Sequence, residues 1–401
     1  MRLRRIQDLE LEGKSVLLRL DLNVPIKNGV IQDKTRILKA LPTIKYIREK
    51  GGKVAIISHL GRPRGQPQSQ YSLEPVGAVL AEELQIEVVF IEDFIGPGFE
   101  EVLSQLKQTQ VALLENCRFH KQETENNAIF ARRLMQPFDI YVNDAFGALH
   151  RAHASVVEAP KCIDPEKRAA GFLIQNECQQ LSEVLDHAKH PFTVILGGSK
   201  VSDKLGVILS LIERCNHLLI GGAMAYTFLK YKGVKTGSSR TEDAKLDAVA
   251  KIYQMASNRR VTVELPIDHI VADKFAETAL AKTTSSPHID DGWMGLDIGP
   301  ETIRRYTEVI NDSKTVFWNG PMGVFEWEAF SQGTIKIAQA VAKLSGKTVV
   351  GGGDSISAIK KAGVAEAISH ISTGGGASLE YLEGKVLPGI RVLLTNEQLR
   401  G

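Results

Sequence analysis

TVVGGGDSISAIKKAG (348–363) reads as strand, turn and helix start in one short span. Val349 and Val350 close a β-branched run. Gly351, Gly352 and Gly353 let backbone N–H groups converge, and Asp354 and Ser355 follow just before the helix-patterned SISAIKKA. N–H groups gathered at a helix N-terminus carry partial positive charge and make an anion site. Asp354 is placed to hold a divalent cation that bridges phosphates. Taken alone, the stretch is explained as simply by a βα turn capped by Asp354. The chain repeats the device, and the repetition decides the reading.

Apolar runs ending in glycine recur through the second half: FTVILGG (192–198), HLLIGG (217–222), TVFWNG (315–320) and ISHISTGGG (368–376), with VTVELP (261–266) among them. The first half has SVLLRLDL (15–22), KVAIISHL (53–60), EVVFIED (87–93), VALLEN (111–116) and DIYVNDAF (139–146), separated by helix-patterned stretches such as EPVGAVLAEEL. Continuous apolar strands alternating with helices predict parallel sheets covered on both faces. The expected fold is α/β, with two doubly wound, Rossmann-like parallel-sheet domains. Residues 1–170 form the first and 171–386 the second. The amphipathic stretch near 172–188 is the connecting hinge helix, and the tail 387–401 packs back on the first domain.

The 401 residues are 43% hydrophobic and 24% charged, with a net charge of +2. That balance argues against a nucleic-acid protein held by charge and leaves room for a local basic cleft. No apolar run is long enough to span a bilayer, and MRLRRIQDLELEGK lacks the apolar core of a secretory signal. The four cysteines form no CxxC pair and read as reduced thiols of a cytoplasmic chain. With no obvious apolar patch, a monomer is expected.

Ligands of open α/β sheets bind beyond the carboxyl ends of the strands. In the first half those positions, and the stretches just after them, hold Asp21, Asn23, Arg36, His59, Arg62, Arg118, His150, Arg151 and His153. Four arginines at one sheet edge make a pocket for a small, highly anionic ligand, since the guanidinium fork bonds phosphate and carboxylate bidentately. In the second half the same positions hold glycines, which let backbone approach a base and a polyphosphate. Lys200 and Lys204, in GGSKVSDK, add point charges at the start of the next helix. No Walker A motif and no GxGxxG after a strand is present, so the nucleotide site is of another design. A domain for a small anion, a domain for a nucleotide and a hinge between them are the layout of a kinase that closes to exclude water.

VLLRLDLNVP (16–25), HLGRP (59–63), ENCRFH (115–120), GGSKVSDK (197–204), GWMGLDIGP (292–300), FWNGPMGVFE (317–326), GGGDS (351–355) and STGGGASLEYLEG (372–384) resemble, in order, the motifs of the phosphoglycerate kinase family. The resemblance runs nearly the whole length. It implies reversible, Mg2+-dependent phosphoryl transfer from 1,3-bisphosphoglycerate to ADP, giving 3-phosphoglycerate and ATP. It also implies roles. Asp21 and Asn23 would bond the glycerate hydroxyl and carboxylate end, and His59, Arg62, Arg118 and Arg151 the 3-phosphate. Arg36 would sit at the reacting carboxyl. Lys200 would reach the phosphoryl in flight, and Lys204 the nucleotide phosphates. Gly222, Gly295, Asn319 and Glu326 would belong to the nucleotide site, with Glu326 on the ribose. Gly352, Gly353 and Ser355 would contact phosphates, Asp354 would hold magnesium, and Gly374 to Gly376 would aim N–H groups at the transferred group. Ser199 stands where the family more often has alanine. An acyl-phosphate-forming kinase for another small phosphorylated carboxylate, and a nucleotide-binding scaffold without turnover, are the competing readings. Arg36 together with Lys200 speaks against the scaffold.

Other features read as structure. Asp268, His269 and Asp273 are expected as loop polar groups after a strand, Trp318 and Trp327 as packing, and the segment 275–286 reads as helix-like and then loop-like, with no assigned role.

Overall fold

The computed structural model describes residues 3–395. The chain divides into two compact units. One joins the residues up to Cys178 with those from Val386 onward, and the other is Gln179–Lys385. Each is built on one six-stranded parallel sheet, so the doubly wound α/β expectation holds.

In the first unit the strands lie in the spatial order Glu87–Ile91, Gln110–Leu114, Lys53–Ile57, Ser15–Arg19, Ile140–Asn143 and Arg168–Ala170. Val16 to Arg19 are all buried, which is why this strand reads as an unbroken apolar run rather than an alternation. The helix Thr35–Glu49 covers one face through Ile37, Ala40, Leu41, Ile44 and Ile47, at the spacing of a single helical stripe. The chain winds outward on one side of Ser15–Arg19 and returns on the other at Ile140–Asn143. The crevice beyond those two strands is therefore the switch point where ligands bind.

The second sheet runs Thr262–Glu264, His217–Ile220, Phe192–Leu196, Thr315–Asn319, Lys347–Gly351 and His370–Ser372. Phe192–Leu196 and Thr315–Asn319 are buried throughout and flank the second switch point. Trp318 is wholly buried in this core, and its indole N–H donates to the Gly320 carbonyl at 2.7 Å. The strand Lys347–Gly351 and the helix Gly353–Lys361 bear out the opening reading of 348–363. The helix Phe172–Asp186 carries the chain from one unit into the next.

Several strands depart from expectation. Arg168–Ala170 adds a sixth strand to the first sheet, too short and too poor in apolar bulk to stand out. In the second unit, Ala281–Thr283, His269–Ala272 and Met294–Ile298 form an antiparallel three-stranded sheet. The segment 275–286 thus contains a strand. Its three residues are all exposed, so no burial pattern marks it. His269 opens the strand His269–Ala272 instead of standing in a loop, while Asp268, in the bend before it, also caps a helix: Oδ2 accepts from Glu301 N and Oδ1 from Thr302 N, in the first turn of Pro300–Asn311.

From Val386 the tail packs within the first unit. Gly389 N donates to Leu149 O at 2.9 Å, and Leu3 bridges Leu394. Residues 396–401 of the expected tail lie outside the described residues. Among the described residues no helix is long and apolar enough to cross a membrane.

Candidate active site

Beyond Ser15–Arg19 the chain passes through Asp21 and Asn23. Arg36 sits in the first turn of the helix Thr35–Glu49, not directly after a strand, and its Nη1 meets Asp21 Oδ1 at 2.6 Å. Asn23 Oδ1 accepts from Gly61 N at 2.9 Å, which ties the first loop to the HLGRP loop. His59 is buried, and Arg36, Arg118 and Arg151 all lie within electrostatic reach of it. Burial, reinforced by Arg19 and those three arginines, holds the His59 imidazole well below its ordinary range, so the ring is neutral at physiological pH. Burial likewise pulls the Arg118 guanidinium down to about 10, which leaves it cationic. Arg118 Nη1 donates to the Gly61 carbonyl at 2.7 Å, while its buried Nε has no protein partner. Arg151 Nε faces His150 Nε2 at 3.2 Å. Arg62 is exposed on the loop next to Gly61. His153 is driven down to about 3 by burial and the neighbouring arginines, so it adds no charge.

One residue that motif reading passed over organises this edge. Asn116 is wholly buried. Its Nδ2 donates to Leu60 O at 2.7 Å and Tyr71 O at 2.8 Å, and its Oδ1 accepts from Arg118 N at 3.1 Å. It therefore clamps the loop that carries Arg62 to the turn that carries Arg118. Its position inside ENCRFH was the available signal; its two long-range carbonyl partners had none.

In the second unit a cavity of about 290 Å³ opens beyond Phe192–Leu196 and Thr315–Asn319. Lys200, Asp203, Lys204, Asn319, Gly352, Gly353, Asp354, Ser355 and Gly376 line it. Lys204 stands immediately before the helix Leu205–Leu211, as expected, but its charge is held rather than mobile. Its ammonium is held by Asn319 Oδ1, and Asn319 Nδ2 donates to Gly351 O at 2.8 Å. Burial lowers the Lys204 pKa, with Asp203 and Asp354 opposing that shift. Lys200 lies ahead of the helix Leu205–Leu211, in a loop held from outside: Ser202 Oγ and N both donate to Glu242, at 2.7 and 3.2 Å. Ser355 Oγ accepts from Gly320 N at 2.6 Å, which ties the glycine turn to the neighbouring strand end.

Gly352 has φ +94°, a conformation that favours glycine, and it turns the chain into the helix Gly353–Lys361. Gly222, Gly295, Glu326 and Gly374 do not line this cavity. Gly222 backs it: its N–H donates to Met322 O at 2.9 Å, and a Cβ there would strike Gly198. Gly295 N donates to Ser239 Oγ at 2.9 Å beneath Tyr226, Glu326 is exposed, and Gly374 is buried behind Gly375. Among the described residues no group of three or more His, Cys, Asp or Glu could hold a metal ion. Asp354 is exposed at the cavity, with Asp203 also in its lining. One or two carboxylates beside phosphate oxygens suit magnesium, which keeps most of its shell in water and phosphate.

The profile of the family described as Phosphoglycerate kinase matches residues 6–385 of this chain. A phosphoglycerate kinase of Leptospira biflexa is 48% identical over 398 residues, 99% of this chain and 100% of the relative. One from Synechococcus elongatus is 50% identical over 388 residues, 96% of each chain. Among solved structures, phosphoglycerate kinase from Coxiella burnetii has a TM-score of 0.88 at 39% identity, covering 98% of this chain and 99% of that one. Phosphoglycerate kinase from Pyrococcus horikoshii has a TM-score of 0.82 at 33% identity, covering 97% and 98%.

Proposed function

This chain belongs to the phosphoglycerate kinase family, and from that premise we propose how its residues carry the reversible transfer of a phosphoryl group from 1,3-bisphosphoglycerate to ADP, giving 3-phosphoglycerate and ATP. It is a phosphotransferase with a carboxyl group as acceptor. The observation that carries the residue-level reading is the pairing of two chemistries at two switch points. Arginines and neutral imidazoles stand beyond one sheet; glycines, two lysines and two carboxylates stand beyond the other.

In this reading the first unit binds the glycerate ligand. His59, Arg62, Arg118 and Arg151 take the distal phosphate, and Asp21 and Asn23 the hydroxyl and carboxylate end. Arg36 stands at the reacting carboxyl. The free Nε of Arg118 supports it, since a buried donor without a protein partner is satisfied by an anionic ligand. The second unit binds the nucleotide. Lys204, Asn319, Gly352, Gly353 and Ser355 meet its phosphates, Gly295 and Glu326 frame the adenosine, and Gly222 belongs to the same nucleotide site. Asp354 would hold the magnesium ion, which neutralises charge on the phosphates when bound. Lys200 and the N–H groups of Gly374 and Gly376 meet the group in transfer.

Phosphoryl transfer needs alignment and positive charge on the equatorial oxygens rather than covalent help. In the ATP-consuming direction the nucleophile is already a carboxylate, so no general base is needed. Direct transfer requires the two ligands to meet, which assigns the connecting helix to a hinge motion and water exclusion to closure. A monomer in the cytoplasm, working on small molecules without nucleic acid or membrane, completes the proposal.

The test is acceptor dependence: ADP formation from Mg-ATP, with the acyl phosphate removed by a coupled reaction. Turnover with 3-phosphoglycerate and almost none with glycerate, which lacks the distal phosphate, is expected. Equal turnover with both would contradict the arginine pocket's assignment.

A further inference from the structure

Beneath the anion pocket lies a buried chain of hydrogen bonds that the reaction does not account for. Glu123, Ser155 and Arg19 are all wholly buried. Glu123 Oε2 accepts from Ser155 N at 2.8 Å and Oε1 from Ser155 Oγ at 2.7 Å. Arg19 Nε lies 2.9 Å from Ser155 Oγ, Nη1 donates to Leu20 O, and Nη2 lies 3.1 Å from His59 Nδ1. The far ring nitrogen, His59 Nε2, lies 4.0 Å from Asp21 Oδ1, the atom that Arg36 binds.

The direction of every bond follows from what each group can do. A guanidinium only donates. Ser155 Oγ must therefore accept from Arg19, and its one hydrogen goes to Glu123. By the same rule His59 Nδ1 must accept, so it carries no proton. A neutral ring with a bare Nδ1 has its hydrogen on Nε2, on the side of Asp21 and Arg36. Protonating the ring would turn an N–H against a buried guanidinium. We propose that Arg19, oriented by Ser155 and Glu123, is a positioning residue that fixes His59 as a neutral Nε2–H donor toward the anionic ligand. The inference rests on the reading of this edge as the 3-phosphoglycerate pocket.

The charged groups facing His59 act, in sum, in one direction. Arg19 and Asp21 come from the first strand and the loop after it, Arg36 from the first long helix, Arg118 from the turn after Gln110–Leu114, and Arg151 from beyond Ile140–Asn143. Four cations against one carboxylate disfavour the imidazolium. The donor at Nε2 is thus a fixed group whose state does not change through the range where the ligand's own phosphate titrates.

The test combines ring-nitrogen NMR of 15N-histidine-labelled protein, without substrate, with 3-phosphoglycerate kinetics. In the wild type, the His59 resonances should be those of the neutral Nε2–H tautomer from about pH 8 to about pH 5. Arg19→Lys, whose single ammonium cannot span Ser155 and His59, should mix the tautomers and raise the KM for 3-phosphoglycerate roughly tenfold, with the KM for ATP unchanged. Ser155→Ala is the second variant and should move the same two readouts in the same direction. An Nδ1–H tautomer in the wild type, or titration at the ordinary histidine value, overturns the proposal. So does the expected tautomer with an unmoved 3-phosphoglycerate KM in both variants. Failure of the wild type to turn over 3-phosphoglycerate would instead count against the proposed function, since the NMR readout needs no substrate.

Discussion

Thr43 Oγ1 donates to Asp144 Oδ2 at 2.5 Å, with both residues wholly buried. The same pair holds the start of the helix Phe172–Asp186: Phe172 N donates to Thr43 Oγ1 at 3.1 Å, and Ile174 N to Asp144 Oδ1 at 3.0 Å. Burial raises the Asp144 pKa from 3.8 to about 6, against the hydrogen bonds from Thr43, Ile174 and Leu173. A carboxyl whose folded pKa is raised favours the protonated fold. Its stabilising effect is complete below the unfolded value and is lost as pH rises through about 6, a swing of about 3 kcal/mol. Asp144→Asn should remove that slope. The measurement is the difference in urea stability between wild type and variant at pH 4 and pH 7; a difference that does not change with pH would contradict the assignment.

Asn319 bridges the Lys204 ammonium and the Gly351 carbonyl. Its loss should free Lys204 to leave the phosphate position and leave a buried carbonyl short of a donor. Asn319→Ala is expected to weaken ADP binding by about tenfold or more, the scale of one charge-assisted hydrogen bond. Calorimetric titration with ADP checks this, and 3-phosphoglycerate affinity should stay unchanged.

Much of the fold was legible because strands buried on both faces must be continuously apolar. Phe192–Leu196 has no polar interruption except Thr193, itself bonded to Ser313 at 2.7 Å. Arg168–Ala170 was not legible: its burial depends on Arg168 reaching Pro160 O, a contact no local pattern encodes. Ala281–Thr283 escaped for the opposite reason, since an exposed edge strand needs no apolar face. At the site, the residues proposed to touch ligand stand in motifs, most of them just after strand ends. The residues that hold them do not. Ser155 meets Arg19 across 136 positions, and Glu242 meets Ser202 across 40, so only the folded chain reveals the pairing.

Glu242 is such a holder. Through Ser202 it fixes the loop that carries Lys200, without lining the cavity itself. Glu242→Ala should loosen Lys200 and lower kcat several-fold, with little change in ADP affinity. Steady-state kinetics beside ADP titration separate the two; an equal loss in both would mean the loop binds nucleotide directly.

Asn116→Ala should act on the other ligand. It leaves the Leu60 and Tyr71 carbonyls and the Arg118 N–H without their partner, each worth about 1–3 kcal/mol when buried. Thermal stability should fall, and the KM for 3-phosphoglycerate should rise by about tenfold or more while the KM for ATP holds.

In the proposed function, Arg36 of one unit and Lys200 of the other supply the charge that makes transfer possible. The most direct measurement is 3-phosphoglycerate-dependent ADP formation from Mg-ATP by the wild type, Arg36→Ala and Lys200→Ala, with ADP affinity measured alongside. Turnover in the wild type, a loss of about a hundredfold or more in both variants, and ADP binding largely kept in each are expected. Full turnover in either variant, or loss of ADP binding that accounts for the whole defect in Lys200→Ala, would contradict the proposal.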